Sequence, residues 1–226
     1  MPACRWLATV VVLGAGAVIV PITAPAGASS APCVAHGSLP GHVALGSNAV
    51  VVRSALRGSS TCHHQRTDNG ATATLRRPGA PDEQLRWRHF GSVQKVKLYA
   101  NIDAPGHYRL AGGNVQVYGH DYRQVDYRWR KTSMTVKRAA RFVHTRESNG
   151  TIGGRAERYL KFGWRGYGRV CVALERGGRH HWRTVTTRRT DRHGRVRFTV
   201  SPGARYRLSF AKSTRVWGAR SGSVRG

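Results

Sequence analysis

Arginine alternates with apolar residues along several stretches of this chain, and that rhythm restricts what the chain can fold into. Arg195-Val196-Arg197-Phe198-Thr199-Val200 and Arg205-Tyr206-Arg207-Leu208-Ser209-Phe210 place an apolar side chain at every second position. Val125-Asp126-Tyr127-Arg128-Trp129-Arg130 does the same. Successive side chains of a β-strand point to opposite faces, so a period of two gathers Val, Phe, Tyr and Leu on one face and Arg on the other. The chain has 226 residues with 38 Lys plus Arg against 10 Asp plus Glu, a net charge of +28, and needs such a division to own a core at all. The charges then line the solvent faces of antiparallel sheets. Asp68-Asn69-Gly70, Gly177-Gly178 and Asp191-Arg192-His193-Gly194 are turn signals at hairpin spacing. Beyond residue 28 no capped helical pattern occurs, and the reading is all-β.

The first 28 residues carry one base, Arg5, and no acid. An apolar run from Trp6 to Ile22 follows, Pro21 and Pro25 break any helix, and Ala26-Gly27-Ala28 supplies the small residues of a cleavage site. Residues 1–28 are read as a signal peptide cut before Ser29, with an uncleaved membrane anchor as the alternative. The remainder is expected to be secreted, either extracellular or cell-wall associated, with no further membrane-spanning segment.

A weak internal repeat divides that remainder. Trp87-Arg88-His89-Phe90 leads to Pro105-Gly106-His107-Tyr108, and Trp182-Arg183-Thr184-Val185 leads to Pro202-Gly203-Ala204-Arg205-Tyr206, with Trp-to-Tyr separations of 21 and 24. Trp and Tyr at such spacing suit two tandem β-sandwiches, 29–130 and 131–226, with both rings in the inter-sheet core. The opening stretch 29–50 reads as a disulfide-pinned loop or a short edge strand. Three cysteines follow the leader, and outside the cytosol a disulfide is expected. Cys33 and Cys62 are the chosen pair, because both lie near the start and outside the clearest strands. Cys171, within Val170-Cys171-Val172, is then left free as a small hydrophobe or bridges to another chain.

The second half carries Val136-Lys137-Arg138 as an opener, Gly168-Arg169-Val170-Cys171-Val172-Ala173-Leu174 and Trp182-Arg183-Thr184-Val185 as strands, Thr190-Asp191 with Gly194 and Phe198, and Tyr206-Arg207-Leu208-Ser209-Phe210. Over residues 131–224 this resembles the Ig-like or prealbumin-like β-sandwich modules of secreted proteins from high-GC Gram-positive bacteria. The resemblance implies Ig-like antiparallel sandwiches and a secreted setting, and it implies no catalytic residues. The chain departs from the pattern at Ala211-Lys212, where such modules commonly carry Gly, and from Gly150 to Tyr159, where alternation fails.

Residues 131–226 hold 24 basic and 4 acidic residues, a net charge of +20, and Arg outnumbers Lys 32 to 6 in the whole chain. The guanidinium fork grips phosphate and carboxylate in two-pronged fashion. Codon bias in a GC-rich genome is the competing explanation for the choice of Arg, though not for the shortage of acids. No G-x-S-x-G, HExxH, P-loop or EF-hand pattern occurs, and the only adjacent carboxylates, Asp82-Glu83, follow Pro81 and read as a turn. The chain is therefore read as non-enzymatic and without cofactor. Cys62-His63-His64 and His180-His181 are the metal candidates, but neighbouring strand residues face opposite ways, so no metal site is assigned. Trp129 and Trp182 are expected to point inward between outward arginines, and Trp164, in a Gly-rich stretch, to be exposed. The leading function is non-catalytic association with anionic cell-envelope polymers, such as teichoic acid or another wall polyanion, with nonspecific nucleic-acid binding included. Arg195, Arg197, Arg205 and Arg207 are the chosen contacts, pooled by two neighbouring strands. A structural spacer or coat module, and a secreted antimicrobial or His-dependent enzyme, are the alternatives.

Overall fold

The alternating stretches are strands in the computed structural model, which describes residues 32–63, 70–115, 127–178 and 181–226. The leader assigned to 1–28 lies outside the described residues, as do His64, Asp68, Asn69 and His180. The strands of the first half are β1 (Cys33–Gly37), β2 (His42–Leu45), β3 (Val50–Gly58), β4 (Ala71–Arg76), β5 (Glu83–Trp87), β6 (Val93–Leu98), β7 (Gly106–Val115), β8 (Tyr127–Trp129) and β9 (Thr132–Arg138). A single helical turn, α1 (Ser60–His63), follows β3. Those of the second half are β10 (Ala140–Ser148), β11 (Thr151–Leu160), β12 (Gly163–Gly166), β13 (Cys171–Gly177), β14 (Trp182–Arg189), β15 (Arg195–Thr199), β16 (Arg205–Phe210), β17 (Ala219–Arg220) and β18 (Val224–Arg225). The protein is all-β, with sheets packed as sandwiches.

In the first half, a sheet of order β6-β3-β1-β8 faces one of order β2-β9-β7-β4-β5. Between them lie Cys33, Leu45, Leu56, Leu75, Trp87, Leu98, Tyr108, Leu110 and Met134, all essentially buried. β1 is an interior strand, not the loop or edge expected of 29–50, because Cys33 and Ala35 point into this core between β3 and β8. β2 is the edge strand of the facing sheet, so the opening chain contributes to both layers. The pairing is not wholly antiparallel: β1 runs parallel to β8, and β2 parallel to β9. β9 is hydrogen-bonded to β7 and β2, so residues 132–138 complete the sheet of the first half.

In the second half, β11 pairs with β10 along one edge and with β12 and β15, end to end, along the other. The facing sheet has the order β14-β13-β16-β17, with β18 also on β16. Ile152, Ala156, Val172, Leu174, Val196, Phe198, Tyr206, Leu208 and Phe210 form the core between them. The alternation of β15 and β16 thus resolves as read, with Val and Phe of one and Tyr and Leu of the other turned inward. Asp191 to Gly194 does turn the chain, but not as a hairpin. β14 pairs with β13 and β15 with β11, so this turn carries the chain from one sheet to the other.

The two tyrosines of the repeat play matching parts. Tyr108 Oη donates to Ala104 O at 2.9 Å, and Tyr206 Oη to Ser201 O at 3.4 Å. Each buried ring thereby pins the loop just before its strand, the arrangement known from sandwich corners. The tryptophans do not match: Trp87 is buried in the first core, whereas Trp182 lies partly exposed.

Residues Pro32–Gly226 form one compact unit. The segment after β16 returns to the first half, where Trp217 Nε1 donates to Val43 O at 2.8 Å and Lys137 Nζ to Ser213 O at 2.5 Å. Lys137 also lies 4.7 Å from the centre of the Trp217 ring, and Tyr159 of β11 packs into the first core.

Cys33 and Cys62 form the expected disulfide, with Cα atoms 4.9 Å apart and 29 residues of separation. Cys171 is disulfide-bonded too, and the described residues include no free cysteine, which corrects the expectation of a free thiol. The apolar neighbours Val170 and Val172 misled that reading, since Cys171 itself is only half-buried. A loop of this length is expected to stabilise the fold by about 3–4 kcal/mol in the chain-entropy model. The Cys33→Ser/Cys62→Ser variant should lose about that much in guanidinium unfolding. An unchanged midpoint would refute it.

Candidate polyanion-binding site

The strand that breaks the sequence alternation builds a basic concavity in the second half. Asn149 (φ 49°) and Gly150 (φ 66°) both take the left-handed conformation that a two-residue hairpin needs, and join β10 to β11. Ile152 and Ala156 of β11 enter the core, so Thr151, Gly153 and Arg155 face out. Opposite them, β10 carries a bulge between Val143 and Arg146, with His144 in a left-handed conformation (φ 53°). The extra residue reverses the parity of the strand, and Arg146 comes to lie level with Gly153 on the outer face. On the other side, β15 sets Arg197 level with Gly153 and Arg195 level with Arg155.

The result is a groove of about 800 Å³ lined by His144, Arg146, Arg155, Arg195 and Arg197, with Ser148, Asn149 and Thr151 at one end. Arg195 and Arg197 stand about 7 Å apart along their strand, and Arg146 and Arg197 about 10 Å apart across the sheet, from standard strand spacings. Arg155 is fixed in place. Its Nε donates to His193 O at 3.2 Å, and its Nη1 lies 3.5 Å from the buried carboxylate of Glu157, which Arg141 also grips at 3.0 Å. Among the described residues no carboxylate lies within ion-pair distance of Arg146, Arg195 or Arg197.

The start of β15 is set by Asp191. Its Oδ1 accepts from the backbone N–H groups of His193 and Arg195, each at 2.8 Å. The bond from Arg195 above all, against some desolvation and with help from His193, holds the Asp191 carboxyl below its ordinary range. From the neighbouring sheet, Arg188 reaches Arg197 O at 3.2 Å and closes the seam between the layers.

Two of the four arginines chosen from sequence, Arg195 and Arg197, line this groove. Arg205 and Arg207 do not join them. β15 and β16 belong to opposite sheets with a shared core between, so their outward rows lie on opposite sides of the sandwich. Arg207 is also occupied: its Nε lies 2.5 Å from Glu175 Oε2, and its guanidinium sits 4.2 Å from the Trp182 ring. Arg205 donates to Ser223 Oγ at 3.1 Å. Trp182 therefore faces outward with Arg207 upon it, contrary to the inward placement read from alternation. Trp164 is not exposed; it packs beside Tyr159 against the first core, under Arg141 at 4.1 Å. Trp129 does point inward, 6.1 Å from Trp87. Arg146, Arg155 and Gly153 were missed, although Asn149-Gly150 was a legible hairpin signal that would have placed them. Cys62, in the disulfide, is unavailable as a metal ligand, and the described residues hold no group of three or more His, Cys, Asp or Glu side chains placed for a metal.

No protein-family model matches the chain, and no curated protein matches it in sequence. Solved structures with a similar course include the FN1–FN3 domains of chicken CNTN1, at TM-score 0.33 and 9% identity over 86% of this chain and 67% of that one. A tetra-tandem repeat from the extending region of a large adhesion protein aligns at TM-score 0.30 and 7% identity, over 86% of this chain and 48% of that one. The D0–D1 domain of intimin aligns at TM-score 0.25 and 14% identity, over 84% of this chain and 95% of that one.

Burial works to raise the Glu175 carboxyl, but hydrogen bonds from Ser209 and Arg207 and the charges of Arg207 and Arg220 outweigh it and hold it below its ordinary value of 4.5. A carboxyl lowered by folding stabilises the protein above that value, and the stabilisation is lost as pH falls through the folded value. Urea unfolding between neutral pH and the acid side of 4.5 should therefore show a steeper loss for the wild type than for Glu175→Gln. Equal slopes would refute this account of Glu175.

Proposed function

We propose that the protein is a non-catalytic β-sandwich module pair, working outside the cell, that holds anionic polymers through the arginine groove of its second half. The observation that carries the reading is the grouping of Arg146, Arg155, Arg195 and Arg197 around a floor without side chains. A guanidinium offers two parallel N–H donors to a phosphate or carboxylate, and a polymer meets several such forks at once. Each charge contact releases counterions, so affinity falls with the logarithm of salt concentration. The two cores are taken as the cores of two modules, with the first half and the returning segment around Trp217 presenting the second.

The test separates the groove from charge in general. Replacing Arg146, Arg195 and Arg197 by Gln should weaken binding of a linear polyanion about ten- to a hundredfold at low salt and flatten the salt slope by about 2. A control that removes the same number of charges, with Arg205, Arg220 and Arg225 replaced by Gln on the opposite sheet, should leave both nearly unchanged. Titration of teichoic acid, DNA and heparin across salt concentrations checks this. Equal effects of the groove variant and the charge-matched control would support a spacer whose charge serves solubility alone.

A further inference from the structure

We infer that the groove accepts an unbranched polyol-phosphate chain laid over Gly153, and that it selects this polymer by shape and not by charge alone. The inference rests on the polyanion reading above and adds the ligand class. Two adjacent glycines lie in the middle of β11, and they differ in what surrounds them. A Cβ on Gly154 would stand 2.7 Å from Leu208 Cδ1, so a side chain there would enter the core and Leu208 would have to shift. A Cβ on Gly153 would meet only Arg197 Cγ at 3.4 Å and Val196 O at 3.5 Å, ordinary contact distances, and its backbone is not left-handed. Packing does not demand glycine at 153. What its absent side chain provides is an open floor at the level of the sheet, directly between Arg146 and Arg197.

The walls describe the occupant. Arg146 on one side and Arg195 and Arg197 on the other supply guanidiniums with no carboxylate partner among the described residues. Ser148, Asn149 and Thr151 supply hydroxyl and amide groups suited to the hydroxyls of a polyol. Among the described residues that line the groove there is no Trp, Tyr or Phe, and the His144 imidazole is the one aromatic ring. Sites for single-stranded nucleic acid pair basic grooves with several aromatic platforms on which successive bases stack, and this one offers a single imidazole. A thin chain with phosphates and hydroxyls but neither bases nor bulky rings satisfies every group present.

The experiment uses the whole protein with three probes, poly(glycerol phosphate), single-stranded oligothymidine and heparin, at about 0.15 M salt. Gly153→Leu keeps every charge and fills the floor. It is expected to weaken poly(glycerol phosphate) binding tenfold or more while changing oligothymidine and heparin binding less than twofold. Amide NMR of the wild type gives a second readout that needs no variant. The Gly153 signal should shift on titration with poly(glycerol phosphate) and stay in place with heparin. If poly(glycerol phosphate) binds Gly153→Leu as well as wild type, or if Gly153 does not shift, the inference is wrong. If the wild type binds all three probes alike and the arginine variant loses all three alike, the shape-selective site is wrong while the polyanion reading stands. If no probe binds, both fall.

Discussion

The structure depends on keeping a large positive charge out of two apolar interiors. An unpaired guanidinium in a core costs several kcal/mol, and strand alternation removes nearly all of them from that position at once. Val196 and Phe198 enter the second core while Arg195 and Arg197 stay in water. The exceptions carry partners. Lys137 and Arg138, both buried at the end of β9, donate to Ser213 O and Ala100 O, and Trp217 lies against Lys137. The basic residues that do enter the protein thus sit where the returning chain is clasped to the first half.

The scarce carboxylates follow the same logic. Asp103 lies beside Arg77, Glu157 beside Arg141 and Arg155, and Glu175 beside Arg207. Glu175 and Ser209 tie down the outer face of the sheet that carries Arg207, and Trp182 covers what remains of that guanidinium. Neutralisation there is confined to Arg207 and Glu175, since Arg205, Arg220 and Arg225 of the same sheet have no carboxylate within ion-pair distance among the described residues. On the opposite face one residue of bulge and one glycine leave Arg146, Arg195 and Arg197, without carboxylate partners among the described residues, around an open floor.

How much of this was legible can be judged element by element. β15 was readable because it buries one face only, and β16 because its apolar side chains alternate with polar ones, although Ser209 on its outer face is buried as well. β11 was not readable. It is the central strand of its sheet, two of its positions are glycine, and its far end packs Tyr159 into the other core, so neither face is uniformly apolar or polar. β10 was legible only from its hairpin end, where Asn149-Gly150 sets Arg146 level with Gly153, because the bulge between Val143 and Arg146 breaks that register toward its start. The Cys33–Cys62 pairing was inferable from position, while the bonded state of Cys171 was not, because a thiol between two valines looks the same whether bonded or free.

The sequence alone determined that this chain would be built of strands, which of their faces would be arginine, and that its first disulfide would close near the start. These follow from local rules, the period of two and short-range spacing, which each segment obeys without reference to the others. Only the tertiary structure decided which arginines share a surface. Arg195 and Arg205 lie close in sequence, yet the connection at residues 200–204 and the strand pairing send them to opposite sheets, while Arg146 arrives near Arg197, across Gly153, from about fifty residues away. Strand pairing is set by how the two sheets close over one core, and no single strand carries that information.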